Sequence, residues 1–325
     1  MKLTLAKKVW LITAAGLVLA GAILMLVSLG MIGGDFSRLS TVTTETNTYE
    51  ITEPVCGVSI NTSAAEDVTI LPAKDGQCKV ICKEVSNLTH AISVVEGVLT
   101  IQLEDNRAWY EYVEIGYSDT DLTVYLPAGD YESLTIRAGT GDVSVAADFT
   151  FGSLSITTST GDIQNQASAT GNMHIKAGTG DILVDNVRAG SVKLSVSSGD
   201  VTARGVVCAG EMSVTVSSGE TALSDVACRS LSTTGNTGDL TMKNVIAAES
   251  FSVKRSTGTV KMDACDAAEI RIRTDTGSVK GTLLSDKVFL VTTDTGDIDV
   301  PTSVTGGRCE ITTSTGDVRL SVVAS

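Results

Sequence analysis

The chain has 325 residues, of which 4% are aromatic and 31 are glycine, and its formal net charge is −14. All 38 acidic residues, and all but three of the 24 Lys and Arg residues, follow residue 34. This acidic balance argues against nucleic acid and against an anionic surface as partners. Abundant glycine with few aromatic residues is typical of short strands that pack through small and β-branched side chains.

The first predicted element is a single transmembrane helix over residues 9–34. This run contains no charged residue, and as a helix it would be roughly 39 Å long, enough to cross a hydrocarbon core of about 30 Å with some tilt. The lysines of residues 1–8 place that end in the cytoplasm, and everything after the helix outside a bacterial cell membrane. A cleaved signal peptide is the alternative, although its apolar stretch would normally be about 7–15 residues.

Residues 35–50 are rich in Thr and predict a polar linker, and residues 51–130 predict strands of irregular spacing. We expect the latter to be a degenerate start or a cap of the repeats that follow, because a terminal repeat has one face without a neighbour. The region holds a group of aromatic residues, interpreted either as an interaction patch or as a cover for the end of the array. These residues are Trp109, Tyr110, Tyr112 and Tyr117.

Residues 131–325 repeat a turn in which Ser or Thr precedes a glycine and Asp usually follows it. The glycines recur every 19 or 20 residues, at Gly141, Gly161, Gly180, Gly199, Gly219, Gly238, Gly258, Gly277, Gly296 and Gly316. Apolar and polar residues alternate on both sides of each turn, which predicts a short strand before and after it. A fixed period of this length indicates a solenoid with one coil per repeat.

A meander of antiparallel hairpins is the competing interpretation of this pattern. It would need turn signals of comparable strength at both ends of every strand, about every 8–12 residues. Here the strong signal comes once per repeat, which favours a coil that pairs in parallel with the next one. The predicted fold is therefore an all-β, single-chain parallel β-solenoid of 19–20-residue coils, preceded by the degenerate region and the transmembrane helix.

Each turn glycine is predicted to supply a positive φ at a sharp corner, and the following Asp to accept backbone N–H groups there. The Asp residues are Asp142, Asp162, Asp181, Asp200, Asp239, Asp297 and Asp317. A calcium ladder is the alternative, but calcium-binding β-rolls use G-G-x-G-x-D nonapeptides, which the sequence lacks. Glu220, Thr259 and Ser278 also interrupt the row. We therefore expect no metal at the turns.

Seven cysteines are present, an odd number that outside the cytoplasm leaves at least one thiol unpaired or bonded between chains. Cys208 and Cys228 each lie nine residues after their turn glycine, so we expect them to be neighbours in adjacent coils, as a disulfide or as stacked buried thiols. Cys78 and Cys82 could hold zinc, but no second pair and no nearby histidine accompanies them.

No catalytic motif is present, and no catalytic or cofactor-binding residue is predicted. His90 and His174 lie in strand-like segments and are predicted to be half-exposed. A glycan-active enzyme is a less favoured alternative, because the densest acidic group, Asp294 with Asp297 and Asp299, lacks aromatic platforms for a sugar.

The serial turns, such as Ser159 to Ile163, resemble those of the DUF4097 family of bacterial adhesin-like β-strand-repeat proteins, also called Toastrack domains. Val58-Ser59-Ile60 and Val124-Tyr125-Leu126-Pro127 resemble segments of the same family. The resemblance covers about residues 50–325, and it implies a β-repeat domain behind an amino-terminal membrane anchor. It implies no catalytic residue.

We expect a membrane-anchored extracytoplasmic module that acts without catalysis in adhesion or cell-envelope interaction. Its expected partners are the membrane, through residues 9–34, and an envelope or surface protein or a glycan. The alternative is an envelope-stress regulatory component that binds another membrane protein through the same helix, where Gly30 and Gly34 form a G-x-x-x-G pair.

Overall fold

The computed structural model describes residues 5–31, 44–85, 88–106 and 120–323. Helix α1 spans Leu5–Met31, so it begins four residues before the charge-free run predicted to cross the membrane. Its described side chains, those of Trp10 and residues 13–27, are all exposed. Within the described residues, no helix combines the length and the apolar character needed to cross a bilayer.

Twenty-six strands follow among the described residues. The first six are β1 Thr44–Ile51, β2 Gly57–Pro72, β3 Cys78–Val85, β4 Leu88–Val95, β5 Val98–Asp105 and β6 Thr120–Leu126. The next twelve are β7 Gly129–Thr140, β8 Val143–Val145, β9 Phe149–Thr160, β10 Ile163–Asn165, β11 Ser168–Ala169, β12 Asn172–Thr179, β13 Ile182–Asp185, β14 Arg188–Ala189, β15 Ser191–Ser198, β16 Val201–Arg204, β17 Val207–Cys208 and β18 Glu211–Ser218. The last eight are β19 Thr221–Thr237, β20 Leu240–Thr257, β21 Val260–Thr276, β22 Val279–Leu283, β23 Lys287–Thr295, β24 Ile298–Asp299, β25 Gly307–Thr315 and β26 Val318–Val322.

Each repeat forms one coil, and neighbouring coils pair in parallel. The long strands before the corners are aligned along their length, so that Leu134, Leu154 and Met173 lie in register. The short strands after the corners stack in the same way, with Val143 beside Ile163. The predicted parallel β-solenoid is confirmed, and the meander of hairpins is excluded for residues 129–323.

Alternation along the strands decides which side chains enter the core. In β9, Leu154 and Ile156 are buried while Ser155 between them is half-exposed. Aliphatic side chains of successive coils stack in this way into one continuous cluster. Full burial of such a side chain contributes roughly 1.5–3 kcal/mol, so the solenoid is stabilised mainly by this aliphatic stack.

The innermost part of the region before the repeats is itself a coil. Strand β2 pairs in parallel with β7 on one edge, where Val58 faces Leu134, and with β5 on the other, where it faces Leu99. Further along, Val68 lies between Val143 and Leu122. Strands β5 and β6 therefore form an outer coil, although they follow β2 in the chain.

Antiparallel strands complete this end of the molecule. Strand β4 pairs with β5, and β3 pairs with β1 and β6. Strand β1 begins at Thr44, inside the segment 35–50 that was predicted to be a linker. The region thus contains both a start of the solenoid and a cap, the two arrangements that the irregular pattern left open.

At the carboxy-terminal end, the last two coils are exchanged relative to their order in the chain. Strand β25 lies between β21 and β23, so that Ile311 pairs with Ile272 on one edge and Val291 on the other. Strand β26 lies likewise between β22 and β24. Residues 300–306 contain no strand and carry the chain past one coil. The even period gives no sign of this exchange, because both coils have the same turn and similar length.

One arginine lies inside the aliphatic core. Arg255 is 1% exposed, and its Nη2 donates a hydrogen bond to Thr221 Oγ1 at 2.8 Å. Its Nε and Nη1 have no hydrogen-bond partner among the described protein atoms. Gly235 provides the space for this side chain, because a Cβ at that position would overlap the guanidinium.

We expect Arg255→Met to raise the free energy of unfolding by about 1–3 kcal/mol. Methionine fills a similar volume without the desolvation cost of a buried guanidinium, which a single hydrogen bond does not offset. Chemical denaturation measures the change, and Lys254→Met, at the exposed neighbouring position, is the matched control. A loss of stability in the Arg255 variant alone would contradict this account.

Candidate functional site

The ten turn glycines form a single row along one edge of the solenoid. Their φ angles lie between 123° and 157°, a region that L side chains rarely adopt. A Cβ at any of them would come well inside 3.0 Å of a backbone oxygen in the neighbouring coil. Glycine is therefore required at this corner for two reasons, the positive φ and the close approach of the neighbouring coil.

The Asp residues beside these glycines connect the coils. Asp142 Oδ1 accepts the backbone N–H of Asp162 at 2.8 Å, and Asp162 Oδ1 accepts that of Asp181 at 2.7 Å. At the exchanged end, the N–H of Asp297 donates to Asp317 Oδ1 at 3.0 Å. The acceptor role was predicted within each turn, whereas the structure places the bond between turns. Asp142, Asp162 and Asp317 each thus use one carboxylate oxygen to satisfy a backbone donor of the neighbouring coil.

The structure places Cys208 and Cys228 at equivalent positions of adjacent coils, since Val207 pairs with Ala227 immediately before them. Both thiols are buried and free, and Cys208 Sγ donates to the Glu211 carbonyl oxygen at 3.3 Å. Burial, with a smaller effect of Cys208, raises the pKa of Cys228 to about 12. This arrangement corresponds to the stacked thiols, and the disulfide stays a prediction. The aromatic group Trp109, Tyr110, Tyr112 and Tyr117 lies outside the described residues.

A cluster of four chemically active side chains lies inside the cap, where β2, β3 and β4 meet. This buried cluster consists of Glu66, Cys82, Glu84 and His90, which are 2%, 0%, 3% and 6% exposed. His90 Nδ1 lies 2.9 Å from Glu84 Oε1, and His90 Nε2 lies 3.1 Å from Glu66 Oε1. Glu84 also accepts the backbone N–H of His90 and the Asn47 side-chain amide, each at 2.5 Å.

The first coil accounts for the position of Glu66. The corner glycine Gly141 of the next coil packs against the Glu66 backbone, so Glu66 occupies the corner position that glycine holds in the repeats. Its neighbour Asp67 accepts the N–H of Asp142 at 2.8 Å, as the later Asp residues do. The first coil therefore keeps the connecting Asp and replaces the glycine with a buried acid.

The contacts in the buried cluster shift its proton affinities. Burial lowers the pKa of His90, but hydrogen bonds to Cys82 and Glu66 outweigh it and raise the pKa to about 10. Burial raises the pKa of the Cys82 thiol, against the opposing effect of His90. Burial and then the Glu84 carboxylate raise the pKa of Tyr49. Between neutral pH and pH 10, the His90 ring is therefore a cation held between two carboxylates.

The sequence interpretation missed this cluster. His90 was predicted to be half-exposed, which is wrong, and Cys82 was considered to lack a nearby histidine, although the two meet in the fold. A signal was present in the strand itself, since Val80, Cys82 and Glu84 occupy the alternating buried positions of β3. A charged residue on the buried side of a strand indicates a partner in the core.

The outward side of the strands that precede the corners forms a second candidate, which we call the cation–hydroxyl face. Two adjacent rows cross it from β7 to β21, and they hold only basic residues, Ser and Thr. One row is Arg137, Thr157, Lys176, Ser195, Thr215, Thr234, Lys254 and Arg273. The other is Thr135, Ser155, His174, Lys193, Ser213, Ser232, Ser252 and Arg271.

All basic side chains of these two rows are exposed. Burial, and then the positive charges of Lys193 and Lys176, lower the pKa of His174. Arg271, at its far end, pairs with Glu269 at 3.0 Å and with Glu310 at 3.6 Å. The overall acidic charge, on which the prediction against an anionic partner was based, therefore does not describe the local charge of this face.

A family model described as Toastrack DUF4097 matches residues 57–220 and again residues 209–325. No curated protein matches the chain. Similar solved structures include a "putative adhesin" of Parabacteroides merdae, 12% identical with a TM-score of 0.48, over 86% of this chain and 97% of that one. A "putative lipid binding protein" of Parabacteroides distasonis is also 12% identical, with a TM-score of 0.46, over 86% of this chain and 98% of that one.

Proposed function

The chain belongs to the DUF4097 Toastrack family, and we propose that it is a membrane-anchored, extracytoplasmic module that binds anionic polymers of the cell envelope without catalysis. The cation–hydroxyl face carries this proposal. Its rows repeat at the spacing of the coils, about 4.8 Å, and present charge and hydroxyl donors along an extended flat surface. A linear polyanion can contact such a surface at several successive coils, and each added contact strengthens binding.

The proposed anchor is the charge-free run of residues 9–34, part of which lies outside the described residues, and the described apolar side chains of α1 are exposed. The exposed Leu and Val side chains of α1 would be stabilised by a nonpolar environment or by a protein partner. The orientation follows from the lysines of residues 1–8, which favour the cytoplasmic side. The cation–hydroxyl face would then lie outside the cell.

The absence of catalysis is supported by where the reactive groups lie. The described residues that combine a thiol, an imidazole and carboxylates form the buried cluster, in which no member is more than 6% exposed. A substrate would have to enter the core of the cap to reach them. The acidic group at residues 294–299 is exposed on the outer coil.

We expect the double variant Lys176→Glu with Lys193→Glu to weaken binding of poly(glycerol phosphate) by about ten-fold or more, because it reverses two charges at the centre of the face. Binding of the wild type should also weaken as salt is raised. Isothermal titration calorimetry on the full-length protein in detergent measures both effects. The double variant Arg204→Glu with Lys243→Glu, on the strands after the corners, has the same net charge and should bind as the wild type does.

Equal loss in both double variants would show that only net charge matters, and the proposed face would be wrong. No binding by the wild type would reject the anionic polymer as partner. Crosslinking in cells separates the regulatory alternative, which requires one stoichiometric membrane protein bound through α1 and unaffected by the charge reversals.

A further inference from the structure

We propose that Cys82, Glu84 and His90 bind a divalent transition metal of the zinc type. One ligand atom from each of these residues lies within 4.8 Å of the other two, and all three residues are buried. A thiolate, an imidazole and a carboxylate are the donors that zinc uses in proteins. The oxygen-seeking ions calcium and magnesium do not favour a sulfur ligand.

The backbone holds these ligands on two neighbouring strands. Cys82 and Glu84 lie two residues apart on β3 and so project from the same side of it, and Val85 at its end pairs with Leu88 at the start of β4. His90 lies two residues further along β4. The ligands therefore depend on strand pairing for their positions, and strand-held ligands are more rigid than ligands on a loop.

The surroundings of the ligands are those of a metal site. Histidines that bind metal usually donate their second ring nitrogen to a carboxylate, which orients the ring. Here His90 Nδ1 faces Glu84 and Nε2 faces Glu66 at 3.1 Å. The metal would bind Nδ1 between His90 and Glu84, and Glu66 would orient the ring from the other side. Asn47 holds the second oxygen of Glu84 in place.

Binding exchanges protons for the metal. The Cys82 thiol proton and one ring proton of His90 leave to solvent, and the sulfur and Nδ1 lone pairs then form bonds to the ion. Three protein ligands leave one tetrahedral position, which a water molecule can complete. Such an ion would join β3 to β4 directly and, through Glu66, would connect both to the first coil.

The test uses the full-length protein in detergent, treated with a chelator and then titrated with Co²⁺ alone. We expect one equivalent to bind, with tetrahedral ligand-field absorption and a thiolate-to-cobalt charge-transfer band, both removed by one equivalent of Zn²⁺. Cys82→Ser should abolish the charge-transfer band. Cys265→Ser, at another fully buried cysteine far along the solenoid, should leave it unchanged.

Glu66→Gln provides the second variant, in case Cys82→Ser fails to fold. It should keep the charge-transfer band and lower the affinity for Zn²⁺ by about 10–100-fold, the usual effect of removing an orienting carboxylate. Circular dichroism establishes that each protein is folded. A folded wild type that binds no stoichiometric Co²⁺ or Zn²⁺, or a Cys82→Ser variant with an unchanged band, would overturn the proposal.

Discussion

Replacing Gly238 by alanine is expected to lower the free energy of unfolding by about 3 kcal/mol or more. The residue has a φ of 123°, and an added Cβ would overlap the Gly219 carbonyl oxygen of the previous coil. The strained backbone and the displaced coil both contribute to the loss. The midpoint of chemical denaturation of the full-length protein measures it.

Two comparison variants separate these contributions. Gly76 also has a positive φ of 72°, but no atom lies within 4 Å of a Cβ placed there, so Gly76→Ala should cost only the backbone strain, about 1–2 kcal/mol. Gly190 lies opposite the corner, without a positive φ, and its Cβ would come within 2.8 Å of Gly171. Gly190→Ala should therefore lower the free energy of unfolding less than Gly238→Ala. Equal shifts at the two positions would contradict the role assigned to the corner.

Replacing His90 by glutamine in metal-free protein should cost about 3–5 kcal/mol at neutral pH, because it leaves the carboxylates of Glu66 and Glu84 buried without their cation. The folded pKa of His90, about 10, lies above its unfolded value of about 6.5. The stabilisation is therefore complete below about pH 6.5 and is lost as the pH rises through 10. Melting temperatures of wild type and variant, measured across this range, should converge at the alkaline end.

The exposed His174 supplies the control. His174→Gln should change the melting temperature little at any of these pH values, since its ring is exposed and burial, followed by Lys193 and Lys176, lowers its pKa. A pH-independent difference between wild type and His90→Gln would mean that His90 is neutral in the folded protein. The ion pair with Glu66 and Glu84 would then be wrong.

The sequence predicted the parts of the fold that local chemistry specifies. A glycine such as Gly161 is needed wherever the chain turns at positive φ, and the alternation around it orients the strands, so both leave a periodic signal. The exchange of β23 and β25 leaves none, because both coils carry the same turn and have similar length. Which coil is outermost is decided by the chain segment 300–306, whose path a pattern of residue types does not reveal.

The buried cluster was hidden for a related reason. Glu66 replaces the corner glycine that marks every later coil, so the first coil was not recognised as part of the repeat. Glu66 and His90 are 24 residues apart. They meet because β2 pairs with β5 and β6, which pair in turn with β4 and β3. The cation–hydroxyl face, by contrast, was accessible from the sequence. Lys176 and Lys254 lie at the same distance before their turn glycines. The sequence interpretation considered only the net charge of the chain and not the position of each charge within its repeat.

The order of the end coils determines how the molecule responds to force. An outermost terminal strand would peel away under tension, breaking the bonds of a single ladder one after another. The last strand, β26, is bonded along both edges, to β22 and to β24, so a pull on the carboxy-terminal end must break two ladders at once. At the other end β2 is also bonded along both edges, but β1 ahead of it is bonded only to β3. A solenoid built like this is protected against unravelling from its carboxy-terminal coils.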